Sequence, residues 1–216
     1  MEPSATPASS PAAFAPPEGF RLLPGLLDAE AQRRMAAAIL AVLEQAPGYH
    51  AAMPKTGRPM SVEMSNAGRF GWYSDREQGY RYIERHPVTD RPWPAIPELV
   101  LDVWRAVAGY GHEPECCLIN LYRDTAKMGL HQDRDEADFS APVVSISLGD
   151  EALFRLGGTT RRDPTRSFRL ASGDVLVLGG AARLAFHGID RVLPGTSRLI
   201  PGGGRINLTL RRVTRP

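Results

Sequence analysis

Two histidines and one aspartate stand at a spacing that suits a metal ion. His131 and Asp133 are separated by one residue, and His187 follows 54 residues after Asp133. In an extended segment, side chains two positions apart point to the same side of the chain. Two imidazoles and one carboxylate form the ligand set of mononuclear iron(II) oxygenases, which leaves positions on the metal open for other ligands. The spacing therefore predicts a metal site with room for chemistry.

The histidine motif has low specificity when it is taken alone. The chain holds 5 histidines, so a His-x-Asp segment followed by a later histidine arises easily by chance. We interpret His50, His86 and His112 as surface or core histidines without a metal. The metal prediction therefore needs support from other residues.

A strand-like segment near the C-terminus supplies part of that support. Residues Arg205–Arg211 alternate polar and apolar side chains. In a strand, the four polar residues would share one face: Arg205, Asn207, Thr209 and Arg211. A buried arginine needs an anionic partner, and its planar fork of donors matches a carboxylate. This face is therefore predicted to bind a small dicarboxylate.

Asn120 and Tyr122 lie two residues apart in another predicted strand, shortly before the metal motif. They would share a face and bring further hydrogen-bonding groups to the same site. An exposed sheet face with solvated arginines would explain the alternation in Arg205–Arg211. It would not explain why Asn120 and Tyr122 share a face on a second predicted strand. Together these residues predict iron- and 2-oxoglutarate-dependent oxidation.

The bulk composition is that of one ordinary globular domain. The chain has 216 residues, of which 43% are hydrophobic and 23% are charged. We expect no membrane span and no signal peptide, because no apolar run is long enough and the N-terminus lacks a basic start. The adjacent Cys116 and Cys117 are poorly placed to pair or to bind zinc. Buried thiols in the cytoplasm are the simplest interpretation.

The net charge of +2 is unevenly distributed. Residues 61–150 hold 9 basic and 15 acidic residues, whereas residues 151–216 hold 12 basic and 4 acidic ones. The basic segment could meet a polyanion such as nucleic acid. A solvated surface rich in arginine is the alternative, and a compositional bias is plausible because 24 of the 26 basic residues are arginine.

Helix signals come before strand signals along the chain. Residues 1–17 are rich in Pro, Ala and Ser and are predicted to form a disordered arm, with a single domain over residues 18–216. Asp28 can cap a helix that runs to about Gln45. A second helix is predicted from near Pro97 to the stop at Gly109–Gly111.

Short strands without intervening helices follow Pro114. They are predicted at Cys117–Tyr122, Val143–Leu148, Leu153–Leu156, Ser167–Leu170, Asp174–Leu178 and Arg205–Arg211. The fold class is therefore mainly β (α+β), as a double-stranded β-helix or jelly roll with N-terminal helices that cover one sheet. A ligand would lie in the mouth of the roll.

Aromatic and basic residues alternate in the segment 60–85. The aromatic residues are Phe70, Trp72, Tyr73, Tyr80 and Tyr82, and the basic ones are Arg69, Arg76, Arg81 and Arg85. Aromatic rings stack on nucleic-acid bases and arginines contact phosphates. A hairpin packed on the core would give the same pattern, and the residues alone favour neither interpretation.

Several of these segments resemble the AlkB family of bacterial DNA-repair dioxygenases. The resemblance rests on Cys117–Tyr122, Leu130–Glu136, Pro142–Leu148, His187–Ile189 and Arg205–Arg211, and it extends to Met60–Asn66, Gly71-Trp72 and Arg91–Ala95. The segments occur in order across residues 20–213, which makes the resemblance specific. The sequence departs from the family at Asp124-Thr125, where a Pro-Gly type of turn is common.

The resemblance implies a jelly roll that binds Fe(II) through His131, Asp133 and His187, with 2-oxoglutarate and O2 as cosubstrates. Arg205, Asn120 and Tyr122 would hold the far carboxylate of 2-oxoglutarate. Asn207 and Arg211 would contact the end nearer to the metal. The implied activity is oxidative demethylation of 1-methyladenine and 3-methylcytosine in DNA, which releases formaldehyde and reverses alkylation damage directly.

The resemblance also implies a nucleotide-recognition lid at about residues 60–85. Trp72 and Tyr80 are expected to contact the base, although they stand one residue further apart than in the family, so Tyr73 also remains a candidate. Asp135 would accept a hydrogen bond from an exocyclic amine, unless it is only a solvated carboxylate. Arg161, or its neighbour Arg162, would contact the backbone or the base of the substrate. The expected partner is alkylated DNA, preferably single-stranded, with RNA possible and with no membrane and no obligate protein partner.

Two other functions remain open from the sequence. The first is a dioxygenase of the same superfamily that acts on RNA, a protein side chain or a small metabolite. The second is a non-catalytic jelly-roll module that binds a metal or a carboxylated ligand. The paired Arg205 and Arg211 beside an open metal triad argue against the second function.

Overall fold

The computed structural model describes residues 14–216. Most of the predicted arm, residues 1–13, lies outside the described residues. Residues 14–17 form neither helix nor strand, and Phe14 packs half-buried against the core. Within residues 14–216, no helix is long and apolar enough to cross a membrane.

Both helices lie where the sequence predicts them. Helix α1 spans Ala29–Gln45, and the Asp28 side chain caps it by accepting a hydrogen bond of 2.8 Å from the Ala31 backbone N–H. Helix α2 spans Glu98–Val107 and begins directly after Pro97. Each helix buries one apolar stripe, as the helical period requires.

Twelve strands are present in the described residues. They are β1 (Phe20–Leu23), β2 (Glu63–Gly68), β3 (Gly71–Asp75), β4 (Gly79–Ile83), β5 (Cys116–Tyr122), β6 (Met128–His131), β7 (Val143–Gly149), β8 (Glu151–Leu156), β9 (Arg166–Leu170), β10 (Val175–Leu178), β11 (His187–Leu193) and β12 (Arg205–Arg211). The major sheet has the order β1-β10-β7-β12-β5-β2, and the minor sheet has the order β6-β11-β8-β9. Strands β3 and β4 form a separate hairpin.

The two sheets face each other as the predicted jelly roll requires, and each face of the major sheet has its own core. One apolar cluster joins α1 and α2 to Ile206, Leu208 and Leu210 of β12. A second cluster lies between the sheets and includes Leu118 of β5 and Phe154 of β8. Because side chains alternate along β12, its arginine-bearing face is turned away from the helices and toward the minor sheet.

The predicted lid, residues 60–85, divides into two parts. Strand β2 belongs to the major sheet and pairs with β5 along its length. The hairpin β3–β4 forms a two-stranded sheet of its own and does not pair with a strand of either larger sheet. A Cβ atom at Gly71 would lie 2.3 Å from the Trp93 ring, so a glycine is needed where the chain leaves β2 to enter the hairpin.

Candidate functional site

The structure brings the three predicted metal ligands together at one end of the minor sheet. His131 is the last residue of β6, His187 is the first residue of β11, and the two residues are register partners. Asp133 follows β6. Its carboxylate oxygens lie 3.6 Å from His131 Nε2 and 3.7 Å from His187 Nε2. One ligand atom from each residue lies within 4.8 Å of the others, which is a separation suited to a single ion.

Backbone carbonyl groups orient both imidazole rings. His131 Nδ1 lies 2.9 Å from the Gly129 carbonyl oxygen, and His187 Nδ1 lies 2.9 Å from that of Ala185. With Nδ1–H donating to these oxygens, each Nε2 carries its lone pair toward Asp133. The His187 ring also stacks on Phe154, with 5.9 Å between the ring centroids.

The electrostatics of the triad favour the metal-binding protonation states. Burial raises the pKa of Asp133, but Arg211, His187 and His131 outweigh it and hold that pKa below its usual range. Burial and the neighbouring His131 lower the pKa of His187 to about 4. An ionised carboxylate and a neutral imidazole are the forms that bind a metal.

The polar face of β12 lies beside the triad. Arg205 and Asn207 are the register partners of Tyr122 and Asn120 on β5. Arg211 Nη2 donates to Asp133 Oδ1 at 2.9 Å, and this pair joins the face to the metal triad. The four predicted residues are all buried, so the face is not the solvated surface that the sequence left open.

Several buried polar atoms on this face have no hydrogen-bond partner in residues 14–216. They are Arg205 Nε and Nη1, Arg211 Nε and Nη1, Asn120 Oδ1 and Asp133 Oδ2. Arg205 is 1% exposed, and its Nη2 donates only to Ser147 Oγ at 2.8 Å. Burial lowers the pKa of Arg205 to about 10. Unpaired cationic donors next to an open carboxylate oxygen fit a bound dicarboxylate and a metal ion.

Asn207 and Tyr122 differ in how free they are to bind a ligand. The Asn207 amide donates to Ser145 Oγ at 2.7 Å and to the Ile146 carbonyl oxygen at 3.1 Å, and its own oxygen accepts from Thr209. The Tyr122 hydroxyl has only a weak contact of 3.9 Å with the Met128 sulfur. Tyr122 is therefore the better placed of the two to donate to a ligand.

The hairpin β3–β4 places aromatic rings next to the metal segment. Trp72 stacks on Tyr80 with 5.4 Å between centroids and 26° between planes, and Trp72 Nε1 donates to Asp135 Oδ2 at 2.9 Å. Tyr80 is 52% exposed. Tyr73 instead packs against Arg81, whose guanidinium lies 4.9 Å from its ring centroid. The structure thus groups Trp72, Tyr80 and Asp135, and places Tyr73 elsewhere.

Arg161 lies on the loop between β8 and β9 and is exposed. Its Nη1 donates to the Leu130 carbonyl oxygen at 3.2 Å, directly before His131, and its guanidinium lies 5.6 Å from the Phe186 ring centroid. Arg161 is therefore at the edge of the metal site, and its predicted contact with the substrate stays a prediction.

Comparisons with known proteins agree with this geometry. Residues 19–211 match the family described as the 2OG-Fe(II) oxygenase superfamily. The sequence is 61% identical over 196 residues to an alpha-ketoglutarate-dependent dioxygenase AlkB homolog of Caulobacter vibrioides, which covers 90% of this chain and 87% of the relative. The chain belongs to the AlkB family. It is also 45% identical over 160 residues to the Escherichia coli dioxygenase AlkB, across 72% of this chain and 73% of that one.

A solved AlkB-family structure shares the fold. The structure of OsALKBH1 superimposes with a TM-score of 0.74 at 31% identity and covers 92% of this chain and 98% of its own. Fe(II), 2-oxoglutarate and O2 are the cofactor and cosubstrates of this oxygenase superfamily, and the triad with its adjoining unpaired arginine donors fits them.

Two buried charged residues of this AlkB-family site were not assigned a role from the sequence. Glu136 and Arg183 form an ion pair of 3.0 Å, and Arg183 also donates to the Asp133 carbonyl oxygen at 2.6 Å. Glu136 lies within the resembling segment Leu130–Glu136, which is the one signal that could have indicated it. Arg183 has no such signal, because it is one arginine among 24.

Proposed function

We propose that this protein oxidatively removes methyl groups from N-alkylated DNA bases, with 1-methyladenine and 3-methylcytosine as substrates. The observation that carries this proposal is the bond between Trp72 and Asp135. Asp135 comes two residues after the metal ligand candidate Asp133, so this bond holds the stacked rings of Trp72 and Tyr80 close to the metal segment. The AlkB names of the relatives and the unpaired arginine donors support the same reaction.

In this proposal His131, Asp133 and His187 hold Fe(II). Arg205, Asn120 and Tyr122 hold the far carboxylate of 2-oxoglutarate, and Arg211 and Asn207 lie nearer to the metal. Bound iron, 2-oxoglutarate and O2 together supply the oxidation of the N-methyl C–H bond, with succinate and carbon dioxide as products. The hydroxylated methyl group then leaves the base as formaldehyde.

The residues at the mouth of the site bind and orient the base. Trp72 and Tyr80 offer ring faces for stacking, and both proposed lesions carry a positive charge that an aromatic face attracts. Asp135 accepts a hydrogen bond from the exocyclic amine in place of the one from Trp72. Arg161, which donates to the Leu130 carbonyl oxygen at the edge of the metal site, contacts the substrate there.

An extruded or unpaired base suits this arrangement. Taking a base out of a duplex costs a few kcal/mol, so single-stranded DNA is the preferred substrate and RNA is a further candidate. Residues 18–216 act as one domain in this proposal, without a membrane or an obligate protein partner, and the protein works in the cytoplasm.

Mass spectrometry of a methylated oligonucleotide tests the reaction. The protein is incubated with Fe(II), ascorbate, 2-oxoglutarate and a single-stranded DNA that carries one 1-methyladenine, and a parallel sample lacks 2-oxoglutarate. We expect loss of the mass of one CH2 group only when 2-oxoglutarate is present. Duplex DNA and RNA of the same sequence rank the substrates. An unchanged oligonucleotide together with succinate formation would refute the nucleic-acid substrate.

Trp72→Ala tests the base-binding role of the hairpin. Loss of one base–aromatic stack should weaken binding of the methylated oligonucleotide by roughly 5- to 150-fold, from about 1–3 kcal/mol per stacked base. Turnover of 2-oxoglutarate without oligonucleotide should remain. Val88→Ala, at an exposed apolar position beyond the hairpin, is the control. Unaltered oligonucleotide binding by Trp72→Ala would exclude stacking on Trp72.

A further inference from the structure

A buried cluster of charges lies directly behind the metal triad. Arg211 contacts Asp133 at 2.9 Å and Glu136 at 3.5 Å, and Arg183 contacts the other oxygen of Glu136 at 3.0 Å. The four side chains are at most 5% exposed. Two arginines thus face two carboxylates in a space that excludes water, and the position of each charge depends on the others.

The hairpin enters this cluster through one hydroxyl group. Tyr82 of β4 donates a hydrogen bond to Glu136 Oε1, the same oxygen that faces Arg211. Burial raises the pKa of Tyr82 well above its usual value, so the phenol stays protonated and can donate. Side-chain contacts through Glu136 therefore join the hairpin to Arg211, which is ion-paired with Asp133.

Trp72 and Tyr82 stand directly opposite each other across the hairpin. Their hydrogen-bond acceptors, Asp135 and Glu136, are consecutive in the chain. The bond from Trp72 is exposed at the mouth of the site, and the bond from Tyr82 is partly buried and ends on the buried Glu136. A movement of the hairpin that accompanies binding at Trp72 would therefore move Tyr82 as well.

We propose that Tyr82 and Glu136 are positioning residues that couple the hairpin to the 2-oxoglutarate pocket through Arg211. The proposal rests on the proposed function. The Tyr82 hydroxyl shares the charge of Glu136 Oε1 and leaves Arg211 directed at Asp133. Without that hydroxyl, Glu136 competes more strongly for Arg211 and draws it away from Asp133 and from the cosubstrate. Binding of the substrate at the hairpin and binding of 2-oxoglutarate in its pocket then strengthen each other through these contacts.

Thermodynamic linkage between the two ligands tests the coupling. The affinity for 2-oxoglutarate is measured on the full-length protein with Mn(II) in place of iron, with and without methylated oligonucleotide. For the unaltered protein we expect the oligonucleotide to tighten 2-oxoglutarate binding by about 5-fold or more, within the usual range of coupling between sites, and 2-oxoglutarate must tighten oligonucleotide binding equally. The same measurements are made on Tyr82→Phe, which removes only the hydroxyl group, and on Glu136→Gln.

Tyr82→Phe should bring the coupling factor close to one and weaken 2-oxoglutarate binding about 3- to 10-fold without oligonucleotide, the scale of the net contribution of one ordinary hydrogen bond, because the hydroxyl group acts on the ligand only through Glu136 and Arg211. Tyr110→Phe is the matched control, since Tyr110 donates to Asp138 outside the cluster, and it should keep the coupling. The coupling factor is the ratio of the 2-oxoglutarate affinities with and without oligonucleotide. The proposal would be overturned if Tyr82→Phe left both this factor and the 2-oxoglutarate affinity within twofold of the unaltered protein. Losses that Tyr110→Phe shares would also overturn it, because they would indicate a general effect on folding.

Glu136→Gln adds a second perturbation of the path and should also reduce the coupling. If that variant fails to fold, Tyr82→Phe alone decides the question. The 2-oxoglutarate measurement without oligonucleotide needs no nucleic-acid activity. A protein that binds 2-oxoglutarate in a Tyr82-dependent way but never demethylates DNA would therefore contradict the proposed function and leave the positioning role standing.

Discussion

Arg205 shows how one residue can be costly to the fold and useful to the site. It is 1% exposed, and two of its nitrogen atoms lack a hydrogen-bond partner among the residues that the structure describes. A buried cation without a carboxylate destabilises the protein until an anion binds. The residue that costs stability in the free protein thus becomes the one that binds the cosubstrate.

Arg205→Met should separate these two effects. We expect the KM for 2-oxoglutarate to rise about 10- to 100-fold, because charge-assisted hydrogen bonds contribute about 1.5–3 kcal/mol. The free protein should be as stable as before or more so, because a desolvated charge is removed. Steady-state kinetics and thermal unfolding measure both effects, and Arg191→Met on the exposed side of β11 is the control. An unchanged KM would exclude Arg205 from the pocket.

The three metal ligand candidates differ in what their removal should do to stability. The Asp133 side chain is 5% exposed and ion-paired with Arg211, whereas that of His131 is 34% exposed. Both Asp133→Ala and His131→Ala should abolish turnover. Asp133→Ala should also lower the free energy of unfolding of the metal-free protein by on the order of 3 kcal/mol, since it breaks a buried ion pair.

Denaturant unfolding of the metal-free variants checks this difference. His131→Ala should stay within about 1 kcal/mol of the unaltered protein, because no buried charge loses its partner. Equal stability of the two variants would contradict the role of Asp133 as the counter-ion of Arg211. Substantial iron-dependent turnover in either variant would contradict the ligand assignment.

At the level of single residues, the sequence indicated those whose role follows from a period or a motif. Arg205 and Arg211 stand out because they alternate with apolar residues, and the alternation survives in the register of β12 and β5. Tyr82 and Arg183 have no such pattern, because their role comes from contacts with Glu136 that only the folded chain creates. Contacts between segments that are distant in the sequence produce no recognisable pattern in the spacing of neighbouring residues.

Among the secondary-structure elements, the approach of β6 to β11 determines the geometry of the metal site. These strands carry His131 and His187 at paired positions. At Gly188, a Cβ atom would lie 2.5 Å from the Met128 carbonyl oxygen, which is backbone and cannot rotate away. Glycine is therefore needed beside His187 for the two histidines to approach each other.

Gly188→Ala should push β11 away from β6 and separate the two imidazoles. We expect metal affinity to fall by at least about 10-fold, the scale seen when groups that orient metal ligands are lost. Calorimetric titration with Mn(II) measures the change. Gly111→Ala is the control, because a Cβ atom there meets nothing within 4 Å. Unimpaired metal binding in Gly188→Ala would contradict this account of the site.

The helices and the longer strands were predictable because each shows one clear period over its length. The boundaries of α1 at Asp28 and Gln45 follow from a capping residue and an apolar stripe. Strands β6 and β11 were not predicted as strands, since β6 has only 4 residues and β11 is irregular, with a shift in register after Ile189. The segment 60–85 was harder still, because it divides between the sheet strand β2 and the separate hairpin, and its aromatic residues all lie beyond β2.

At the scale of the whole molecule, two apolar cores flank a site of buried polar groups. Two apolar clusters hold the sheets and helices together, while the polar face between them keeps unpaired donors and acceptors. Ligands that bind only the folded state stabilise it. Metal and 2-oxoglutarate together should therefore contribute to the stability of the molecule as well as to its chemistry.

Thermal unfolding with and without ligands checks this expectation. Mn(II) and 2-oxoglutarate at about 100 times their dissociation constants should each add about 2.7 kcal/mol, which raises the Tm by about 5–10 °C for a chain of this size. Arg205→Met should keep the increment from Mn(II) and lose the one from 2-oxoglutarate. No increment from 2-oxoglutarate in the unaltered protein would contradict the assignment of the arginine face.

The most direct test of the central claim is the ratio of formaldehyde released to succinate formed. The protein is supplied with Fe(II), O2, 2-oxoglutarate and single-stranded DNA that carries 1-methyladenine, and the same DNA without the methyl group serves as the control. Oxidative demethylation predicts about one formaldehyde per succinate with the methylated strand, because one oxidation removes one methyl group, and none with the control strand. Succinate without formaldehyde from the methylated strand would contradict the claim.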